Sequence, residues 1–247
     1  MAGPCESVFR RGVFHIAKVG IFRYFLASAI LLLARLRYFH EAAPQANDRD
    51  TLLRRAYSQF HFQCRMTHGS AAVRFFFPSF FNAKSWTAFG WINCKASDAM
   101  LFLGWLDTFL AGLLNDPKDP RHMSILRYMK LAATAARDFT RTPYSCGLWL
   151  PRQGGWYVYE RVHTFLQAYN ACALLSVTAH DYAGFGLTGK FHALCHLKRD
   201  ILTMLLGPNT KWILNPQAFG CEMNEDVIGK LSRLNRRVNS RRSSSFT

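Results

Sequence analysis

Acidic residues are scarce in this chain: 15 Asp and Glu stand against 31 Lys and Arg, leaving a formal net charge of +16. Such a surplus opposes compaction by self-repulsion unless a polyanion is near. Nucleic acid is the commonest polyanion for a basic protein, and an anionic membrane surface comes second. The sequence also lacks a Cys-x-x-Cys pair, although it holds seven cysteines at 5, 64, 94, 146, 172, 195 and 221. An odd, widely spaced set excludes a disulfide framework and indicates a reducing compartment, with most thiols acting as small buried hydrophobes. The apolar run near the N-terminus, residues 24 to 34 between Arg23 and Arg35, is short for a bilayer, since a crossing helix needs roughly 20 residues. It is expected as a buried helix with basic ends. A targeting or anchoring segment is the alternative, because residues 1 to 40 carry six Lys/Arg and only Glu6 as an acid. Strand-like alternation is weak throughout, and no internal repeat is visible.

What the chain does hold is apolar bulk. Half of its 247 residues are apolar and 15% are aromatic, enough for a real core. Pro, Gly, Asn and Asp punctuate it at 41 to 50, 115 to 122, 142 to 155, 183 to 190 and 207 to 210. Helical patterns fill the gaps: "SDAMLFLGWLDTFLAGLL", apolar nearly all round and expected to be buried, then "HMSILRYMKLAATAARDF" with Met123, Leu126, Met129, Ala133 and Ala136 on one face. "WYVYERVHTFLQAYNACALLSVTAH", "KFHALCHLKRDILTML" and "NEDVIGKLSRLNRRV" follow. The expected fold is mainly α. It comprises a basic, apolar N-terminal helical segment over 1–40, a single helical domain over 51–238 and a disordered basic tail over 239–247. One segment resists the helical reading: "VRFFFPSFFNAKSWTAFGWIN", near 73–93, is expected as a short aromatic-rich strand or irregular stretch. Its Phe75, Phe76 and Phe77 stand beside Arg74, with Lys84 further on, and aromatics beside cations can stack unpaired bases, although a cluster this dense is commonly core.

Two motifs could carry chemistry. His192, Cys195 and His196 stand at i, i+3 and i+4 on one helical face, where imidazoles a turn apart can hold a divalent metal and a thiolate favours zinc. Only two or three ligands are local, so Cys221 or Glu222 would have to complete the set. The favoured reading is two histidines hydrogen-bonded inside the helical core. In the second motif Asn224 caps a helix whose first turn holds Glu225 and Asp226, favoured there by the macrodipole. Val227, Ile228, Leu231, Leu234 and Val238 make its apolar stripe, while Lys230, Arg233 and Arg237 gather on another face. Six Lys/Arg and no acid follow Asp226.

Lys190, His192 and His196, then Glu225, Gly229, Lys230, Leu231 and Arg233, resemble the C-terminal end of DDE/D transposase-like proteins of eukaryotic cut-and-paste mobile elements. That family shows two histidines four apart, an aromatic-rich turn, and Glu-Arg-x-x-Gly-x-Leu-Lys. About 45 residues carry the likeness. Asp226 stands here where the family has Arg. The resemblance implies Glu225 as the catalytic carboxylate and Mg²⁺ as the metal of an active enzyme. DDE chemistry needs carboxylates converging on two metals, and the upstream aspartates at 48, 50, 98 and 107 each fit a linker or helix role instead.

The expectation is therefore a transposase-derived DNA-binding protein, or a C-terminal fragment of a transposase, that is nuclear. Lys230, Arg233, Arg236, Arg237, Arg241 and Arg242 would grip phosphates, with no cofactor required for binding and Zn²⁺ the metal that the histidine pair would suit. The rivals are an active metal-dependent transposase or nuclease, and a membrane-associated or organellar structural protein.

Overall fold

The structure, a computed structural model, describes residues 12–39, 49–83, 85, 88–116 and 119–219. Glu225 and the six basic residues from Lys230 to Arg242 lie outside the described residues, as do Asp48, Lys84, Trp86, Cys221 and Glu222. The architecture is mainly α. Six α-helices are described: α1 (Phe22–Arg35), α2 (Arg49–Met66), α3 (Ala96–Asn115), α4 (Met123–Tyr144), α5 (Arg152–His180) and α6 (Gly189–Leu205). A π-helical segment, Phe14–Ile21, leads into α1 across a kink at Gly20 (φ −107°, ψ −114°). A Cβ there would come within 2.6 Å of the His15 carbonyl oxygen. The kink thus falls where the side chain is smallest.

Helix α1 is the centre of the molecule. Every residue from 25 to 34 is fully buried, because α1 is apolar on all faces and a helix of that kind is stable only when surrounded. Phe22 meets Phe139 of α4 and Phe165 of α5 edge-on, and Phe25 packs against Phe165, Tyr169 and Phe185. One core cluster runs from Val13 to Ile213. Within it α3, α4, α5 and α6 pack each against the next, and α6 closes onto the π-helical segment. By length and composition alone, Phe14–Arg35 and Ala96–Asn115 could each cross a membrane. The first is the core helix just described. The second leaves part of its surface uncovered, so the all-round burial expected of α3 is not found; Thr108 and Gly112 face solvent.

Polar groups inside the core are tied down. The Ser28 hydroxyl donates to the Gly184 carbonyl at 2.7 Å, and the Tyr182 hydroxyl donates to the Ser28 carbonyl at 3.1 Å. These bonds fasten the loop after α5 to α1. Gly184 is required there, since a Cβ would fall 2.0 Å from the Tyr182 ring. Asp107 of α3 accepts from Lys130 Nζ and Thr134 Oγ1, both at 2.5 Å, and from the Arg137 guanidinium, clamping α3 to α4. Burial pulls the Asp107 carboxyl upward, but its hydrogen bonds from Lys130 and Thr134 and the two cations outweigh this and hold it below the ordinary carboxylate value.

Two strands of three residues also form: β1 (Trp149–Pro151) pairs antiparallel with β2 (Trp212–Leu214). Leu150 and Ile213 point inward while Trp149 and Trp212 are exposed, the period-2 alternation of a half-buried ribbon. Asn215, buried beside the ribbon, donates to the Pro143 and Gly147 carbonyls at 2.8 Å and so ties β2 to the end of α4.

Candidate nucleic-acid interface

The histidine pair lies on α6, whose first turn is capped by Thr188 accepting the Phe191 N–H at 3.4 Å. The buried stripe of α6 is Leu194, Leu197, Ile201 and Leu205. His192 precedes Leu194 by two residues, about 200° round a helix of 3.6 residues per turn, and is exposed. The expectation of two core histidines is corrected by that angle. Their imidazoles meet instead at the surface, Nε2 to Nε2 at 2.8 Å, with rings edge-on at 4.4 Å. One Nε2–H donates to the other ring's lone pair, so the neutral pair holds complementary tautomers. Cys195 is half-buried and free. Among the described residues no three of His, Cys, Asp and Glu come together as a metal-holding group.

The described aspartates are equally dispersed. Asp98 and Asp107 stand nine residues apart on α3, about 13.5 Å of rise at 1.5 Å per residue. Two-metal sites hold their ions about 4 Å apart. Asp107 is committed to the α4 clamp, and Asp50 sits in the first turn of α2.

The aromatic segment is built differently. Among the described residues of 73–93 no strand forms. Residues 73 to 77 form no helix or strand; from an extended Phe77 (φ −100°, ψ 157°) the chain enters a single 3-10 turn, Pro78–Phe81, which ends at Asn82 in the left-handed region (φ 46°). The chain then returns alongside itself: Trp91 N–H donates to the Phe81 carbonyl at 2.9 Å, and Asn93 N–H to Phe80 at 3.0 Å. Ile92 N–H reaches the Arg23 carbonyl of α1 at 3.3 Å. Extended backbone sends successive side chains to opposite sides. Phe76 accordingly enters the core against Phe60, Phe81, Phe102 and Trp105, while Phe75 and Phe77 are 54% and 50% exposed. The two outer rings lie 5.7 Å apart, and Tyr57 of α2 braces Phe75 at 5.6 Å.

These rings border an open cavity of about 480 Å³, whose lining includes Arg23, Arg74, Phe75, Phe77, Lys95 and Asp98. Three cations, two exposed aromatic faces and one carboxylate thus converge from α1, the irregular segment and the start of α3. Cys94 also lines it. Burial pushes its thiol up to about 12, against the pull of the neighbouring Arg23 charge, so it is no nucleophile at neutral pH. Arg74 and the phenylalanines were legible as a candidate stacking platform. Arg23, Lys95 and Asp98 were not, because only the packing of α1 beside α3 brings residues so distant in sequence to one wall. No protein-family model matches this chain, and no curated protein and no solved structure matches it.

Proposed function

We propose that this protein binds nucleic acid, stacking unpaired bases on Phe75 and Phe77 while Arg74, Lys95 and Arg23 meet the phosphates. The observation that carries the reading is the shared cavity: exposed aromatic faces bordered by cations, on a chain of net charge +16. Aromatic platforms in a basic groove are how proteins hold single strands without sequence preference. The C-terminal Lys230, Arg233, Arg236, Arg237, Arg241 and Arg242 would add phosphate contacts to duplex DNA, in keeping with the likeness to transposase-like proteins. That likeness makes a DNA-binding relative of a transposase, acting in the nucleus, the specific form of the proposal; Glu225 with Mg²⁺ would matter only to an active enzyme.

The test is affinity for single-stranded and duplex DNA as a function of salt. Phe75→Ala with Phe77→Ala should weaken single-strand binding by roughly 1–3 kcal/mol per lost stack and leave the salt slope unchanged. Charge reversal at Arg74 and Lys95 should lower the single-strand slope by about 0.7 per lost phosphate contact. Reversal of Lys230, Arg233 and Arg237 should lower the duplex slope. A wild-type protein that binds no strand in low salt would end the proposal.

A second reading is favoured by one observation. Phe62 and Met66 of α2 are 64% and 65% exposed. Phe62 borders an apolar groove with Trp105, Phe109 and Leu113 of α3. Apolar side chains on a basic protein suit an anionic membrane surface. Flotation with phosphatidylglycerol vesicles, lost on Phe62→Ser with Met66→Ser, would support it.

A further inference from the structure

Helix α6 carries two imidazoles that the nucleic-acid reading does not use. His192 is exposed and His196 half-buried, one turn apart, and their Nε2 atoms face each other at 2.8 Å. A hydrogen bond between groups that water reaches adds little to stability, since water would serve each nitrogen nearly as well. The contact of α6 with the core runs instead through Leu194, Leu197, Ile201 and Leu205. The spacing of the two nitrogens does fit a metal ion. Histidines at i and i+4 of a helix can meet one ion, because a turn sets their rings side by side. A nitrogen ligand stands about 2.0 Å from a divalent first-row ion, so two of them 2.8 Å apart subtend about 90° at it. That is the angle between neighbouring positions of a tetragonal set. The tetrahedral arrangement of zinc would place the same nitrogens about 3.3 Å apart.

We infer that His192 and His196 chelate one divalent late-transition ion, Cu²⁺ or Ni²⁺, through both Nε2 atoms, with water in the remaining positions. Both ions favour tetragonal nitrogen and oxygen ligands, and copper heads the affinity order of the divalent first-row metals. Binding needs both Nε2 lone pairs. The ring that donates in the metal-free pair therefore moves its proton from Nε2 to Nδ1 by way of solvent, and a neutral pair loses no proton. Small rotations of the two rings then bring both lone pairs onto the ion. Asp200, exposed one turn beyond His196, adds a negative charge on this side of α6 and can accept a hydrogen bond from a metal-bound water. Cys195 is not part of the set, and among the described residues no third His, Cys, Asp or Glu joins the pair as a ligand. The close rings of His122 and His180 are a poorer chelate, since their centroids lie 5.3 Å apart and His122 Nδ1 is engaged with Tyr38. The inference stands apart from the nucleic-acid reading and does not depend on it.

The experiment is calorimetric titration of the full chain with Ni²⁺ at about pH 7.5, where imidazole is a ligand rather than a cation. Wild type should bind one equivalent. His192→Ala and His196→Ala should each lose about 100-fold in affinity, the low end of what a second tethered contact adds. Cys195→Ser should bind as the wild type does, and so should His122→Gln with His180→Gln. Electron paramagnetic resonance of one equivalent of Cu²⁺ gives an independent reading on Cys195→Ser protein, whose nearest thiol can no longer reduce the ion. It should show two equatorial nitrogens. A single nitrogen there overturns chelation even where a histidine variant folds poorly. Unchanged Ni²⁺ affinity in both histidine variants overturns the site, as does a wild type that binds no Ni²⁺. Loss of binding in Cys195→Ser overturns the two-imidazole set in favour of a thiolate one.

Discussion

Helix α1 and the segment around Phe75–Phe77 are both strongly apolar stretches beside basic residues, and the fold treats them in opposite ways. In α1 every residue from 25 to 34 is lost to solvent; in the segment, Phe76 is buried while its neighbours on both sides keep half their surface. Composition does not separate the two. Geometry does, since a helix apolar on all faces has to be surrounded, whereas an extended stretch without a covering layer can bury one side only. Exposed aromatic area of that kind has no account in stability, which is why it draws a functional reading.

The largest expected effects test the buried side of this contrast. Phe25→Ala in α1 and Phe76→Ala in the segment should each lower unfolding free energy by about 3–5 kcal/mol, the usual cost of an emptied aromatic site. Guanidinium titration checks both. Phe75→Ala and Phe77→Ala, each one residue from Phe76, should cost under about 1 kcal/mol in the same titration, as near-surface positions do, while lowering single-strand affinity. Equal destabilisation at 75 and 76 would break the comparison.

A medium effect concerns the contact that holds the end of α1 to its neighbours. Tyr38, following α1, shares a 3.0 Å hydrogen bond with His122 Nδ1, and the His122 and His180 rings lie edge-on at 5.3 Å. Burial lowers both imidazoles from their ordinary value; for His180 the charges of His122 and Arg35 add to it, and for each of them Asp119 opposes it. The unfolded chain therefore takes up protons first as pH falls. Stability from this pair is complete above about pH 6.5 and declines as pH drops below it. Denaturation midpoints between about pH 7.5 and 5 should show the decline, and His122→Gln with His180→Gln should flatten it. The smallest effect belongs to α6. His192→Ala should change stability by under about 0.5 kcal/mol, as expected of an exposed position, and a loss of several kcal/mol would return the pair to the core.

The helices were largely legible because their apolar residues recur at three and four. α3, α4, α5 and α6 follow the patterns in the sequence, with α5 starting at Arg152 and running through Gly154 and Gly155 where a break was expected. α2 was not legible: Leu52, Leu53, Ala56, Phe60 and Cys64 make its buried face, but arginines and glutamines between them mask the period. The β ribbon was missed because three residues are too few to show alternation. At the candidate site the rings and Arg74 could be found by composition. Asp98 could not, since an acid in the first turn of a helix reads as an ordinary start signal, and its place on the cavity wall exists only in three dimensions.

The buried Ser28 hydroxyl bonded to the Gly184 carbonyl joins positions 156 residues apart. During synthesis α1 leaves the ribosome long before the loop and helices that cover it. At roughly 5–20 residues per second the delay is about 8–30 s. For that interval only the helices that precede the loop in the chain, α2 and α3 first among them, are available to cover this fully apolar helix.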